Sequence, residues 1–356
     1  MIKVLLINQK KVPNYRIPVY NYLSTYLKRK GYSLTIVSEG TEEGNTHQIE
    51  FDHKVISLSF LKLARFIIEL DPDVIIYWVN LRHLYLFPIL LLTKILRKKA
   101  IYWGHGVDLL GKRTMRLKYS FYSIEHWLSD AIILYGEHLR KNVKGQFQDK
   151  VFIANNTLHF NKYKIKPAEK NNFLSKYNIT TSKNIICMGR MQKRKRLDHL
   201  FRAFELLNRH DIGLILVGPD SDGILRDVHG GNIYKLGPIY GDEMLNLLSA
   251  ADVFCLPGAI GLSIVDAFYC GLPIVTENGD ASPEIMYLQD GVNGFIVPRG
   301  DVHQLASKLQ LLLDDDLVRE QFSIEAKKEI NTNGHIAKMC QGFRDALIFV
   351  CNKQSI

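Results

Sequence analysis

Hydrophobic positions in this chain fall into short continuous runs separated by longer stretches in which apolar residues recur at helical spacing. Runs of the first kind are Lys3–Asn8, Ser33–Ser38, Val55–Ser59, Val74–Val79, Ala100–Gly104, Ala131–Tyr135 and Val151–Ala154. Stretches of the second kind include Ile17–Lys30 and Met115–Ser129. Phe160–Asn172 breaks the pattern: it is polar, rich in lysine, contains Pro167, and reads as a linker. The pattern then restarts with Asn184–Met188, Ile212–Val217, Ile233–Leu236, Val253–Leu256, Pro273–Thr276 and Phe295–Val297. The tail, His335–Cys351, is helical in period, with Met339, Phe343, Leu347 and Val350 near one face.

Strands alternating with helices predict parallel, doubly wound sheets. A length of 356 residues exceeds one average core. The expected fold class is therefore α/β, with two Rossmann-like domains facing a cleft. The first spans 1–160 and the second 161–334, and helix 335–356 crosses back to the first. Ligands of such sheets bind outside the carboxyl ends of the strands. The turn after the first strand, Gln9-Lys10-Lys11-Val12-Pro13, lacks the GxGxxG dinucleotide fingerprint.

Charge sharpens this division. Residues 1–150 hold 23 Lys and Arg against 13 Asp and Glu, which accounts for the whole net charge of +10. A basic first half suggests that it meets something anionic: a membrane surface, a lipid phosphate or nucleic acid. Nucleic acid is disfavoured, because the basic residues are scattered and no helix-turn-helix or RNA-binding motif is present. The N-terminal apolar run is too short for a signal peptide, and no run is long enough to span a bilayer. The longest, Leu84–Thr93, ends in Lys94, Arg97, Lys98 and Lys99 and reads as an amphipathic or core helix. The five cysteines (Cys187, Cys255, Cys270, Cys340 and Cys351) form no CxxC pair and imply a reducing compartment. Cytoplasmic residence, peripheral on the inner face of a membrane, follows as the expectation.

Two segments carry candidate chemistry. Gly189-Arg190-Met191-Gln192-Lys193-Arg194-Lys195 follows a strand and is expected to open a helix with Lys195 at its start. Two cations and a helix N-terminus there suit a phosphate, although a basic run is also compatible with a solvated turn. Leu256-Pro257-Gly258-Ala259-Ile260-Gly261-Leu262-Ser263 reads as strand, glycine turn and helix start, which points backbone N–H groups at a ligand.

These segments resemble the family 4 glycosyltransferases of the GT-B fold. Gly189-Arg190…Lys195 is similar to the GRxxxxK motif. Leu216-Val217-Gly218, Leu236-Gly237-Pro238-Ile239, Ala250-Ala251-Asp252-Val253, Gly271-Leu272-Pro273, Pro283-Glu284-Ile285 and Asp290-Gly291-Val292-Asn293-Gly294 follow in the family's order. The resemblance covers most of residues 184–301 and is loose in the first half. It implies transfer of a sugar from a nucleotide-sugar, most simply a UDP-sugar, with retention at the anomeric carbon. The acceptor implied is a lipid-linked or growing glycan, as in surface polysaccharide synthesis.

By the same resemblance, Arg190 and Lys195 hold the diphosphate, amides near Gly261 and Leu262 assist, and Pro238 meets the base. The family's two glutamates, with seven residues between them, fall here on Gly258 and Asp266. Asp266 retains a ribose contact, whereas Gly258 lacks the sugar-holding acid, which a backbone amide or Ser263 replaces. Glu284 is either a donor contact or a helix-start charge. His105, between Gly104 and Gly106 at a strand end, is assigned to the reaction centre, where it binds the donor sugar or assists proton movement from the acceptor. Asp108 is its expected partner. Arg16, at a helix start, is an acceptor-side candidate or a surface cap. Asp71-Pro72-Asp73 and Asp220-Ser221-Asp222 look like metal motifs but read as turns, so neither a metal nor a cofactor is expected. A GT-B-fold sugar-nucleotide epimerase and a non-enzymatic nucleotide- or nucleic-acid-binding protein are the alternatives.

Overall fold

The computed structural model of the chain describes residues 1–45, 47–78, 86–107, 115–160, 170–279 and 282–352. It divides into two compact units, Met1–His159 with His335–Ile356, and Phe160–Gly334. The expected linker lies largely outside the described residues.

The first unit is built on seven strands: β1 (Ile2–Ile7), β2 (Tyr32–Ser38), β3 (Asp52–Val55), β4 (Val74–Tyr77), β5 (Lys99–Gly104), β6 (Ala131–Leu134) and β7 (Val151–Ile153). Their order is β3-β2-β1-β4-β5-β6-β7, and all neighbours are parallel. Helices α1 (Arg16–Lys28), α2 (Phe60–Leu70), α3 (Leu86–Ile95) and α4 (Met115–Leu128) join them. Side chains alternate across β1, so that Val4 and Leu6 enter one core with Ile17, Leu23 and Leu27 of α1. Leu5 and Ile7 enter the other core, with Leu63 and Ile67 of α2 and Ile89 and Leu90 of α3. Both faces are covered, as a parallel sheet requires.

The expected strand Val55–Ser59 is corrected. The strand is β3, a polar and mostly exposed edge strand. The apolar signal at 56–58 belongs to the loop that follows, from which Leu58 is buried against the α2 side.

The second unit repeats the plan with β8 (Lys183–Met188), β9 (Ile212–Val217), β10 (Ile233–Gly237), β11 (Val253–Cys255), β12 (Ile274–Glu277) and β13 (Gly294–Val297). The order is β10-β9-β8-β11-β12-β13, again parallel throughout. Its helices are α5 (Lys170–Ser175), α6 (Leu197–Leu207), α7 (Gly241–Ala250), α8 (Ser263–Cys270), α9 (Val302–Asp314) and α10 (Asp316–Thr332). The strand order reverses between β8 and β11, which makes their carboxyl ends the switch point where a ligand binds. At the opposite end Asp252 accepts the Asn184 amide at 2.7 Å and ties the two strands together.

Helix α11 (Ile336–Asn352) completes the first unit. Met339, Phe343, Leu347 and Val350 are fully buried in the α1-side core. A Cβ on Gly342 would lie 2.0 Å from the Ile153 carbonyl oxygen, so only glycine allows α11 this close to β7. All five cysteines are free thiols, with Cys187, Cys255 and Cys340 buried. Among the described residues no helix is long and apolar enough to cross a membrane.

Candidate functional site

The floor of the site is a meeting of strand ends made possible by glycine. Gly189 follows β8 at φ +135° and Gly218 follows β9 at φ +137°. A Cβ on Gly218 would stand 2.0 Å from the Gly189 carbonyl oxygen. The Gly218 amide donates to the Gly237 carbonyl at 2.7 Å, and Pro238 follows, exposed.

Beyond Gly189, Arg190 is exposed at the strand end, while Met191 turns inward and its amide donates to the Pro219 carbonyl at 2.9 Å. Lys193–Lys195 form a single 3-10 turn, and Arg196 adopts the left-handed conformation at φ 53° before α6 begins at Leu197. The expectation that Lys195 opens the helix is therefore corrected: it lies in a separate 3-10 turn and precedes α6 by the left-handed Arg196. Lys195 is instead buried, with its ammonium donating to the Ala259 carbonyl. A Cβ on Gly189 would sit 3.6 Å from its Nζ, which places this cation directly beside the strand end.

The turn after β11 is locked onto that cation's backbone. Gly258 donates its amide to the Lys195 carbonyl at 2.9 Å. A Cβ on Gly258 would meet the Arg194 carbonyl oxygen at 2.3 Å and the Arg196 Nε at 3.1 Å. The 194–196 turn thus fills the space a side chain would need, which explains physically why this position carries no acid. Gly261 takes φ +60° and donates its amide to Ser282 Oγ at 3.1 Å. Ser263 Oγ donates to the Ile260 carbonyl at 2.6 Å, which commits its proton and leaves the oxygen only as an acceptor. The Leu262 and Ser263 amides, at the start of α8, have no acceptor among the described residues. A buried ammonium, two open amides and a helix N-terminus make an anion cradle.

One turn into α8, Asp266 is half-buried among apolar neighbours, and burial pushes its carboxyl up to about 8. Glu284 is buried in the 3-10 turn Pro283–Tyr287, which packs on α8. Glu277, at the end of β12, escaped the sequence reading. It is fully buried, accepts from Arg196 Nη1 at 2.6 Å, and contacts His199 Nδ1 at 2.6 Å. Its backbone amide donates to the Pro257 carbonyl at 3.2 Å. The pair spans the left-handed Arg196 and the strand beside the Gly258 turn. The sequence signal for it was an acid ending an otherwise apolar strand, Ile274-Val275-Thr276-Glu277.

In the first unit the structure brings Arg16 and His105 to one aromatic cluster. Arg16 is buried, not a surface cap: its Nη2 donates to Asn156 Oδ1 at 2.8 Å. Its guanidinium carbon lies 5.1 Å from the Trp103 ring centroid and 5.8 Å from that of Tyr135. His105 is half-buried, edge-on to Tyr135 at 4.9 Å and to Trp78 at 5.8 Å. All these groups stand at the carboxyl ends of parallel strands or at the start of α1. Asp108 lies outside the described residues.

Comparison with known proteins places this geometry. A model described as Glycosyl transferases group 1 matches residues 182–315, the stretch that carries the cradle. Those residues are thus similar to the group 1 glycosyl transferases. Curated relatives of this stretch include the sulfoquinovosyl transferase SQD2 of Arabidopsis thaliana, 30% identical over 149 residues. That match covers 41% of this chain and 29% of the relative. The O-antigen chain mannosyltransferase B of Escherichia coli is 30% identical over 167 residues, covering 43% of each. The chain thus spans less than half the length of the curated relatives it matches. Across the whole chain the GT-B fold is shared with solved structures at low identity. HepE of Anabaena in complex with UDP-glucose superposes with a TM-score of 0.78 at 16% identity, covering 98% of this chain and 99% of that one. The lipopolysaccharide glycosyltransferase WaaG superposes with a TM-score of 0.69 at 13% identity, covering 98% and 99%.

Within the matched stretch, Gly189, Lys195, Gly258 and Ser263 converge, with Gly261 and Leu262 adjoining. Asp266 lies one turn along α8 from Ser263, and Glu284 lies in the 3-10 turn that packs on α8. Asp220 of the Asp220-Ser221-Asp222 motif spends both carboxylate oxygens on the amides of Ile224 (2.8 Å) and Leu225 (2.9 Å), as a turn residue does. In the first unit Asp73 likewise accepts the Lys3 amide at 2.8 Å. Among the described residues no three His, Cys, Asp or Glu side chains form a metal-ligating group.

Proposed function

We propose that this protein is a retaining glycosyltransferase that moves a sugar from a nucleotide-sugar, a UDP-sugar in the simplest reading, to a glycan or lipid-linked acceptor. The observation that carries the reading is the cradle at the β8/β11 switch point: Lys195 Nζ beside Gly189, with the open amides of Leu262 and Ser263. A diphosphate there meets the buried ammonium, the α8 N-terminus and the Arg190 guanidinium. As the anomeric C–O bond breaks, negative charge grows on the departing phosphate, and these preorganised groups stabilise it. Removing one such donor costs about 2.7–4 kcal/mol of transition-state stabilisation.

The half-buried Asp266 meets the ribose hydroxyls as a neutral carboxyl, its carbonyl oxygen accepting from one and its O–H donating to another. Pro238 closes on the base, and Glu284 serves the sugar side. Gly258 leaves sugar contact to backbone amides and the Ser263 lone pairs. His105, in the first unit with Arg16 and Asp108, serves the acceptor and takes up or relays its hydroxyl proton. The epimerase alternative needs acids poised at the sugar, and the packed Gly258 turn supplies none there. The reaction is proposed to need no metal.

A thermal-shift panel of nucleotide-sugars tests the reading. At a ligand concentration of 100 Kd the stabilisation is about 2.7 kcal/mol, a rise of roughly 5–10 °C for a unit of this size. Arg190→Ala should abolish most of that rise. If no nucleotide stabilises the wild type, the proposal fails. Activity lost to a chelator and restored by a divalent ion would overturn the metal-independent form of it.

A further inference from the structure

The turn that carries Lys195 is more basic than a diphosphate requires. Five of the seven residues from Arg190 to Arg196 are Lys or Arg, and the donor reading employs only Arg190 and Lys195. Lys193 and Arg194 are exposed, whereas Arg196 is drawn inward, its side chain only 13% exposed. From its left-handed backbone Arg196 projects to the turn after β11. Its Nε lies 3.1 Å from the point where a Cβ on Gly258 would stand. A guanidinium therefore stands beside position 258, where the family resemblance leads one to expect a carboxylate.

Glu277 orients this guanidinium without exhausting it. One oxygen of the fully buried carboxylate accepts from Arg196 Nη1 at 2.6 Å, and the other meets His199 Nδ1 at 2.6 Å. The remaining edge, Nε and Nη2, has no acceptor among the described residues. That edge offers two parallel N–H groups, the arrangement that binds a carboxylate bidentately.

The chemistry of the groups at 258 decides what this edge reads. The hydroxyls of a neutral hexose each bring a proton that needs an acceptor. Gly258 has no side chain to accept one, and the guanidinium beside it only donates. A donor-only group is matched by an acceptor-only one, and on a sugar that group is the carboxylate of a uronic acid. A hydroxyl fills the two-pronged edge less well and brings no opposite charge to it.

We infer that the donor is the nucleotide derivative of a uronic acid, and that the Nε–Nη2 edge of Arg196 binds the sugar's carboxylate. The inference rests on the donor reading above and adds to it the class of sugar.

Calorimetric titration tests it with UDP and GDP alone and with three neutral and acidic pairs. These are UDP-glucose and UDP-glucuronate, UDP-galactose and UDP-galacturonate, and GDP-mannose and GDP-mannuronate. In at least one pair the uronate should bind about tenfold or more tightly than its neutral partner. Arg196→Gly, which suits the left-handed backbone, should bring the ratio within that pair close to one, whatever happens to nucleotide affinity as a whole. The double variant Arg196→Gly, Glu277→Gln removes the buried carboxylate along with its arginine. It should show the same collapsed ratio where the single variant is too unstable to titrate. Lys193→Gln, which removes an exposed charge from the same turn, should keep the wild-type ratio. If UDP or GDP binds and no uronate exceeds its neutral partner, the inference is overturned while the donor reading stands. A preference that survives in both Arg196 variants, or that collapses in Lys193→Gln, overturns it too, since another cation would then read the carboxylate. If no nucleotide or nucleotide-sugar binds, the donor reading falls and this inference with it.

Discussion

Replacing Gly258 by alanine places a methyl group 2.3 Å from the Arg194 carbonyl oxygen, where ordinary contact begins near 3.4 Å. The neighbour is backbone, so one of the two turns must move by about 1 Å rather than rotate a side chain aside. Overpacking of this kind costs about 1–3 kcal/mol. Displacing the turn also lengthens or breaks the Gly258 amide bond to the Lys195 carbonyl, worth about 1 kcal/mol. Together these give a loss of about 2–4 kcal/mol, or a fall of roughly 5–15 °C in melting temperature. Because the displaced turn carries Lys195, nucleoside diphosphate affinity should fall with stability. The counterintuitive extension is Gly258→Glu. It installs the acid that the family resemblance leads one to expect here, yet should lower both stability and nucleotide binding. Urea unfolding and calorimetric titration with UDP measure the two losses. If both variants unfold within about 0.5 kcal/mol of wild type and bind UDP unchanged, the packing argument for Gly258 is wrong.

Two further substitutions probe the buried acids. Asp266 holds its proton up to about pH 8 in the folded chain, against about 3.9 unfolded. The unfolded state therefore releases the proton first, and stability declines as pH rises from about 4 towards 8. Asp266→Asn should flatten that decline and stabilise the free protein by about 1–2 kcal/mol at pH 7, after allowing for the carboxyl's partial exposure. It should also weaken nucleotide binding, and an unchanged slope of urea midpoint against pH would refute the account. Glu277→Gln leaves the Arg196 guanidinium without its carboxylate in a nearly closed site. The expected loss is about 2–3 kcal/mol, the low end for a broken buried pair because Arg196 and His199 retain some exposure. Arg196→Gly suits the left-handed backbone at that position, so the double variant should unfold less easily than the two single losses sum to. Strict additivity in a double-mutant cycle would show that Glu277 does not act through Arg196.

The strands were legible because buried parallel strands are short, apolar and separated by helices, and most boundaries lie within two residues of the structure. β3 was misplaced for the converse reason: it is a polar edge strand, and the apolar residues beside it belong to a loop. The cradle was legible as a motif, since Gly189, Lys195 and the Gly261 turn follow each other around the switch point. Its geometry was not. Arg196 takes a backbone conformation that arginine rarely adopts, so no helical pattern could have placed Lys195 in a separate turn. Gly258 was conspicuous only as a missing acid, and its steric reason needed the 194–196 backbone. Arg16 was left between an acceptor-side role and a surface cap because its partners Trp103, Tyr135 and Asn156 lie far along the chain. Glu277 was overlooked because a carboxylate at a strand end gains its meaning only from Arg196 and His199, about eighty positions earlier.

Helix α11 bears on how the polypeptide is born. A ribosome delivers residues 1–159 first, with the β5, β6 and β7 surface still lacking Phe343, Leu347 and Val350. The whole of 160–334 then emerges, its own sheet complete, before the last helix arrives to seal the earlier half. The first half must therefore wait, part of its apolar surface unshielded, while the second half can mature ahead of it. A chain truncated after residue 334 should show the second half resistant to protease and the first half still cleavable. The order of synthesis and the order of folding run opposite to each other in this molecule.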